Sequence, residues 1–348
     1  MPGTGAAIPA VSSDAGAGWR PATSPSDHER PHAMTFSRRS FAAGLATSLG
    51  ALATGGPARA DRVLRVGYQK YGTMLLLKAR GALDPALKPL GFRAEWREFP
   101  GGPQLLEAVN AKAVDIGVVG ETPPIFAQGA GAPLVYLAHE PPAPKSEAIV
   151  VPKDSPIRAV ADLKGRKVAL NKGSNVHYLL VRALEEAGLA YTDIQTVFLA
   201  PADGRAAFDG GSVDAWVIWD PFLAAVEVSS GARILQDATG LAANHQFYVG
   251  ERSFTEAQPQ AIDTVLAAIA AIDRETNGVT EAAARELSPA VGMPVPILSR
   301  ALARQSWGVT PLSPEVVAGQ QRIADMFLRL GLLPRPIQVA EAVRQARS

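Results

Sequence analysis

The chain has 348 residues, 47% of them hydrophobic, which is enough for a sizeable buried core and for two domains. Its 34 basic and 33 acidic residues leave a net charge of +1 without a basic patch, which argues against a nucleic-acid partner. Cysteine is absent, which excludes disulfides, thiolate metal sites, a cysteine nucleophile and a lipidated N-terminal cysteine.

Residues 1–33 are rich in Ala, Gly, Pro and Ser and have no periodicity, so they read as a disordered or non-native upstream extension. Met34 then opens Thr35-Phe36-Ser37-Arg38-Arg39-Ser40-Phe41, a paired arginine ahead of the moderately apolar run Phe41 to Thr54. That is the twin-arginine export pattern, although the usual Leu after the Phe is Ala42. Ala58-Arg59-Ala60 supplies a small-x-small cleavage site, so 34–60 reads as a signal peptide and the mature chain begins at Asp61. The mature part carries 29 basic and 30 acidic residues, a net charge of −1. No later apolar run is long enough to span a bilayer, and a soluble exported protein is expected.

Val63–Val66 reads as a strand ending at Gly67, followed by a helix from Met74 to Arg80 closed by Gly81. Ala94–Phe99 is a strand, Pro103–Asn110 a short amphipathic helix with Pro in its first turn, and Val114–Val119 an apolar strand covered on both faces. Pro123-Pro124 starts a helix through Ala130. Beyond the stiff stretch Pro141–Pro144, strands are predicted over Ala148–Val151, Val168–Leu170, Ile194–Leu199, Val213–Trp219 and Gly231–Leu235. Helices fall over Val160–Lys164, Val176–Ala187 and Ala202–Phe208. Gln246–Val249 is a strand able to cross back to the first half. The remainder is almost all helix: Ala261–Ala271, Thr280–Leu287, Pro296–Gln305, Pro314–Leu330 and Val339–Arg347. With hinges at Pro141–Pro144 and 245–248, lobe I comprises 62–146 and 248–348, and lobe II comprises 147–247.

A pattern is written twice in this order. Val63–Val66 runs into the loop Gly67–Thr73 and a helix, as Lys167–Leu170 runs into Asn171–Asn175 and a helix. Each copy has a second matched piece, Ala113-Val114-Asp115 through Pro123 and Ser212-Val213-Asp214 through Pro221. Two similar α/β halves with polar loops at their strand ends suggest a ligand held between two lobes, since ligands of open α/β sheets bind beyond the carboxyl ends of the strands. Four loops are then in play: 67–73, 120–122, 171–175 and 219–220. Gly120-Glu121-Thr122 and Gly173-Ser174-Asn175 lead directly into helices, whose starts offer unpaired N–H groups and the positive end of the macrodipole to an anion. The competing reading is that Thr122 and Ser174 or Asn175 only cap their own helices. Trp219 can cover an aliphatic tail or pack between lobes, with Trp216 the better core residue. Asp220, held extended before Pro221, can accept from a ligand amine or from neighbouring backbone. Glu121 is expected to point away from an anion or to pair with a base such as Lys172. The five histidines show no metal-ligand spacing, with His139 and His245 making structural hydrogen bonds near the hinge. No Ser-His-Asp signature, phosphate loop or GxGxxG is present, so no cofactor and no catalysis are expected.

The segments Leu64–Thr73 (LRVGYQKYGT), Phe99–Leu106 (FPGGPQLL), Gly120–Gln128 (GETPPIFAQ), His139–Pro144 (HEPPAP), Leu170–Leu180 (LNKGSNVHYLL) and Trp216–Ala225 (WVIWDPFLAA) resemble the aliphatic sulfonate-binding proteins of bacterial ABC importers, from about Asp61 to Ala342. The resemblance implies a monomeric two-lobed periplasmic binding protein, each lobe a mixed sheet flanked by helices. Its ligand, a sulfonate held in the interlobe cleft, is handed to an inner-membrane permease for sulfur supply. It carries ligand contacts to Gln69, Gly120, Thr122, Asn171, Gly173, Ser174 and Trp219, and further to Tyr71, Asn175 and Asp220. A taurine or nitrate receptor of the same family is the alternative. An enzyme on this fold is less expected, because sulfinate-cleaving relatives are thought to use a cysteine.

Overall fold

The computed structural model describes residues 62–345. The extension and export signal read over 1–60 lie outside the described residues.

The first half is built from β1 (Arg62–Tyr68), α1 (Gly72–Ala79), α2 (Leu83–Leu87), β2 (Phe92–Glu98), α3 (Gly102–Asn110), β3 (Ile116–Gly120), α4 (Pro123–Gly129) and β4 (Leu134–His139). The second half follows as β5 (Glu147–Val151), β6 (Lys167–Leu170), α5 (Asn175–Glu186), β7 (Gln195–Phe198), α6 (Pro201–Asp209), β8 (Ala215–Trp219), α7 (Phe222–Ser230) and β9 (Arg233–Asp237). Then β10 (Gln246–Glu251) returns to the first sheet and α8 (Arg252–Ala257), α9 (Pro259–Thr276), α10 (Thr280–Val291), α11 (Val295–Arg304) and α12 (Pro314–Arg329) complete the chain.

Two five-stranded mixed sheets result, ordered β2-β1-β3-β10-β4 and β7-β6-β8-β5-β9. They superpose in plan: a parallel trio, then a strand antiparallel to it that has crossed from the other half, then an edge strand. The duplicated pattern is thus a duplicated sheet, and the fold is the two-lobed one expected. The repeated Val-Asp explains itself locally. Asp115 Oδ2 accepts from the Arg65 amide at 2.7 Å, and Asp214 Oδ2 accepts from the Lys167 amide at 2.8 Å. Each aspartate also donates its own amide to the carbonyl of that same residue. The carboxylate therefore pins the entry of the third strand to the first, at the middle of β1 in one half and at the start of β6 in the other.

The chain crosses between sheets at 140–146 and at 238–245, and these segments are bonded to each other. Ala143 N donates to Ala243 O at 3.0 Å, and Ala238 N to Pro144 O at 3.1 Å. Asn244 ties them further with a left-handed φ of 51°, which Asn tolerates better than most residues. Its Nδ2 reaches Ala143 O at 3.0 Å and Ser146 Oγ at 2.9 Å.

Buried apolar residues form a core on each face of the first sheet, the second of them around Val119, Tyr136 and Phe247 under α3, α4 and α12, and another core on the second sheet. Leu64, Val66, Ile116 and Tyr248 pack under α1, α9 and α10, while Val168, Leu170, Val217 and Trp216 pack under α5 and α6. Trp216 is the core tryptophan of its strand, 1% exposed. Strand β4 and helices α2, α7 and α8 lie where the sequence reading placed no element. The last predicted helix, 339–347, is corrected: among the described residues of that range only the short turn Val339–Ala342 forms, after which Val343 bridges Tyr136. Strand β4 is an edge strand with unpaired backbone groups, and pairing with Val343 covers one of them in place of helix propagation.

Candidate functional site

Three helix starts converge where the two sheets face each other. A methyl added to Gly101, which precedes α3, would lie 3.6 Å from Asn171 Nδ2 and 3.7 Å from Trp219. One added to Gly102 would meet Pro123 Cγ at 2.6 Å, and one on Gly120 would meet Asn175 Oδ1 at 2.7 Å. Backbone without side chains is what permits α3, α4 and α5 to approach so closely.

Helix α4 begins Pro123-Pro124, which removes two of the N–H groups that a helix start normally offers. Its contribution reduces to the loop and to Thr122. Helix α3, nine residues long, has Gly102 and Gln104 in its first turn, where amides have no intrahelical acceptor. On the opposite side, α5 offers Asn175 and Val176 in the same positions.

Side-chain capping, the competing reading, is not what these residues do. Thr122 makes no cap bond, and its Oγ1 is buried without a partner. Ser174 also makes no cap bond, and its hydroxyl donates to Asn171 O at 2.8 Å. The Gly173 amide is met by His177 Nδ1 at 3.3 Å. Asn175 Nδ2 donates to Glu147 Oε2 and to Asn244 Oδ1, the latter at 2.9 Å. Asn175 is thus held by the crossing segments, with its Oδ1 against Gly120. Gln69 is buried and spends one amide hydrogen on Val118 O at 3.2 Å. The Tyr71 hydroxyl donates to Gln246 Oε1 at the start of β10. Trp219 is buried beneath Gly101, edge-on to Phe222.

Asp220 takes the backbone option. Its Oδ1 accepts from Ala224 N at 3.0 Å and lies 3.5 Å from Arg304 Nη1, while Oδ2 is buried without a partner. Burial pushes this carboxyl up to about 7 against the pull of Arg304. Arg304 also bonds Glu227 at 2.6 Å, so α11 clips α7. Glu121 does not pair with Lys172, contrary to one expectation. It is buried, with Oε2 accepting from the His245 amide at 3.3 Å and Oε1 unpartnered. Burial pushes it up to about 7, with the His245 and Asn244 amides pulling the other way. Burial, and next the Glu121 charge, drive Glu147 well above the usual carboxylate range. His139 and His245 both bond Glu140 O, at 2.9 and 2.8 Å.

The NMT1/THI5-like family pattern matches residues 98–272. A protein of Escherichia coli K12 named for binding aliphatic sulfonates is 44% identical over 284 residues, 81% of this chain and 88% of its own length. The chain belongs to the aliphatic sulfonate-binding protein family. Two solved family members share its fold. The alkanesulfonate-binding protein from Xanthomonas axonopodis pv. citri, bound to MOPS, is 40% identical with a TM-score of 0.78, covering 83% of this chain and 100% of that one. The periplasmic aliphatic sulphonate binding protein from E. coli is 43% identical with a TM-score of 0.75, covering 82% and 93%.

In this family member, two cavities flank the converging loops. One of about 20 Å³ lies beside Tyr71, Trp219 and Asp220. The other, about 480 Å³, opens beyond Asn171 and Gly173 between α3, α4 and the ends of β6 and β7. A larger one of about 1050 Å³ lies between α5 and α12 and touches none of the predicted site residues. Sequence reading missed Gly101, Asn244 and Arg304. Gly101 had a signal, a Gly-Gly pair just ahead of a first-turn proline. Asn244 and Arg304 had none, since these partners are 69 residues or more away in the chain.

Proposed function

We propose that this protein is the substrate-binding component of an ABC importer, capturing aliphatic sulfonates by lobe closure and delivering them to an inner-membrane permease for sulfur acquisition. The observation that supports this reading is the approach of the α3 start to Asn171 and Trp219 and of Gly120 to the α5 start, with the buried, unpartnered Thr122 hydroxyl in the same loop as Gly120. A sulfonate is a permanent monoanion with three acceptor oxygens, and it suits convergent neutral donors with no counter-cation. Gly101, Gly120, Thr122, Asn171 and the α5 start hold the head, while Trp219 roofs it. Gln69, Tyr71, Gly173, Ser174, Asn175 and Asp220 keep those loops in place.

The two lobes turn about the bonded crossings at 140–146 and 238–245, with Gln246 and Phe247 of β10 on the side of lobe I, and binding shifts that equilibrium without changing any bond. The protein acts as an exported, soluble, monomeric periplasmic receptor and not as an enzyme; lack of cysteine removes the nucleophile expected of sulfinate cleavage. Among the described residues no helix is long and apolar enough to cross a membrane. Calorimetric titration of the mature protein with alkanesulfonates, taurine and nitrate tests the reading. Alkanesulfonates should bind most tightly and raise the melting temperature. Sulfonate affinity no better than nitrate affinity would sink it.

A further inference from the structure

The sulfonate reading leaves open where the organic tail goes, and the two flanking cavities differ enough to decide. Beside Trp219 and Tyr71 there is room for about one water molecule. That space is walled by Leu298, Ala301 and Leu302 as well as by the carboxyls of Glu140 and Asp220, so it is its size and not its polarity that leaves no room for a hydrocarbon tail. On the other side of Asn171 the cavity is over twenty times larger at about 480 Å³, open toward solvent, and walled by Leu106, Phe126, Phe198 and Leu199. Phe198 is 44% exposed, one of four large hydrophobic side chains so exposed among the described residues. It ends β7, an edge strand of the second sheet, while Phe126 hangs from α4 on the first. The walls thus come from both lobes. Phe126 lies 3.5 Å from the position of a methyl on Gly173, and Lys172 Nζ sits 5.4 Å from the centre of the Phe198 ring. An apolar ring held in water beside an anion-binding loop has a use if an apolar chain lies against it on binding.

We propose that the ligand tail runs out through this cavity and that Phe126 and Phe198 are its specificity-determining walls, selecting extended alkyl and aryl sulfonates. The proposal rests on the sulfonate reading above. In it Trp219 covers the head and is indifferent to tail length.

The test is a titration of methanesulfonate and hexanesulfonate against the parent protein, Phe198→Ala, Ala130→Trp and Trp219→Ala. Phe198 is exposed enough for its truncation to leave the fold intact, and Ala130→Trp, from the exposed end of α4, fills the same cavity without removing a wall. Both should weaken hexanesulfonate by about tenfold, the effect of losing some 50 Å² of apolar contact, and leave methanesulfonate within about twofold. Trp219→Ala should weaken both ligands by the same factor. If Phe198→Ala leaves the hexane-to-methane affinity ratio unchanged, or Trp219→Ala shifts that ratio instead, the tail path is wrong while the sulfonate function stands. A parent protein that binds neither ligand overturns both.

Discussion

The Thr122 hydroxyl is buried with no partner in a loop whose other polar groups are mostly committed. An orphaned hydroxyl costs folding free energy unless something supplies its hydrogen-bond partner. Thr122→Val keeps the shape and removes the orphan. Its melting temperature without ligand should be equal or higher, while sulfonate affinity falls by about 1–3 kcal/mol. Lost stability with unchanged affinity would assign Thr122 to the scaffold. Glu121 makes a second residue-scale prediction. Its folded value of about 7 lies above the ordinary 4.5, so the folded state binds more protons between those limits. Its contribution to stability is therefore full below pH 4.5 and is lost as pH rises to about 7, at up to about 1.4 kcal/mol per pH unit. Glu121→Gln should flatten the fall in stability across that window in urea unfolding. An unaltered slope would mean Glu121 is ionised throughout. The polarity of Thr122 and Glu121 was legible from the sequence, but what meets each atom was not, because the amides of 244 and 245 arrive from a distant crossing.

At the level of elements, the paired aspartates test whether the repeat is structural. Asp115 is buried and accepts from the Arg65 amide and guanidinium, while the Asp214 side chain is 37% exposed and holds chiefly the Lys167 amide. Asp115→Ala should cost about 2–3 kcal/mol and Asp214→Ala about 1 kcal/mol, each with affinity retained. A loss of sulfonate affinity greater than the loss of stability would place the motif in the site. Regular helices such as α5 and α12 were readable from apolar spacing, because each buries one stripe. The final predicted helix failed because an edge strand competed for the same backbone. Strand β4 and helix α7 gave no usable signal because both are apolar through most of their length, so neither has a periodic face.

For the whole molecule, the decisive contacts are those between lobes. Gly120 closes β3 against Asn175, which is itself held by Glu147 and Asn244 and so cannot swing aside. In Gly120→Ala the methyl would sit 2.7 Å from Asn175 Oδ1. Gly120 and Asn175 sit on different sheets, so the added methyl opposes their approach, and affinity for every sulfonate should drop about tenfold or more at little cost to unliganded stability. X-ray scattering should then show less compaction on ligand addition than in the parent. Equal compaction and affinity would mean that Gly120 does not gate closure. By itself the sequence determined the doubled α/β plan, the polar strand-end loops and the anionic character of the partner. Each of these follows from local spacing, since strand, loop and helix start lie within a dozen residues of one another. Only the tertiary structure decided that the α3 start lies against Asn171 and Trp219, that Asn175 braces the crossings, and that the larger of the two flanking cavities lies beside Phe198 rather than Trp219. Those outcomes depend on which side chains of one sheet meet the other, and on how much volume remains between them, and neither has a period along the chain.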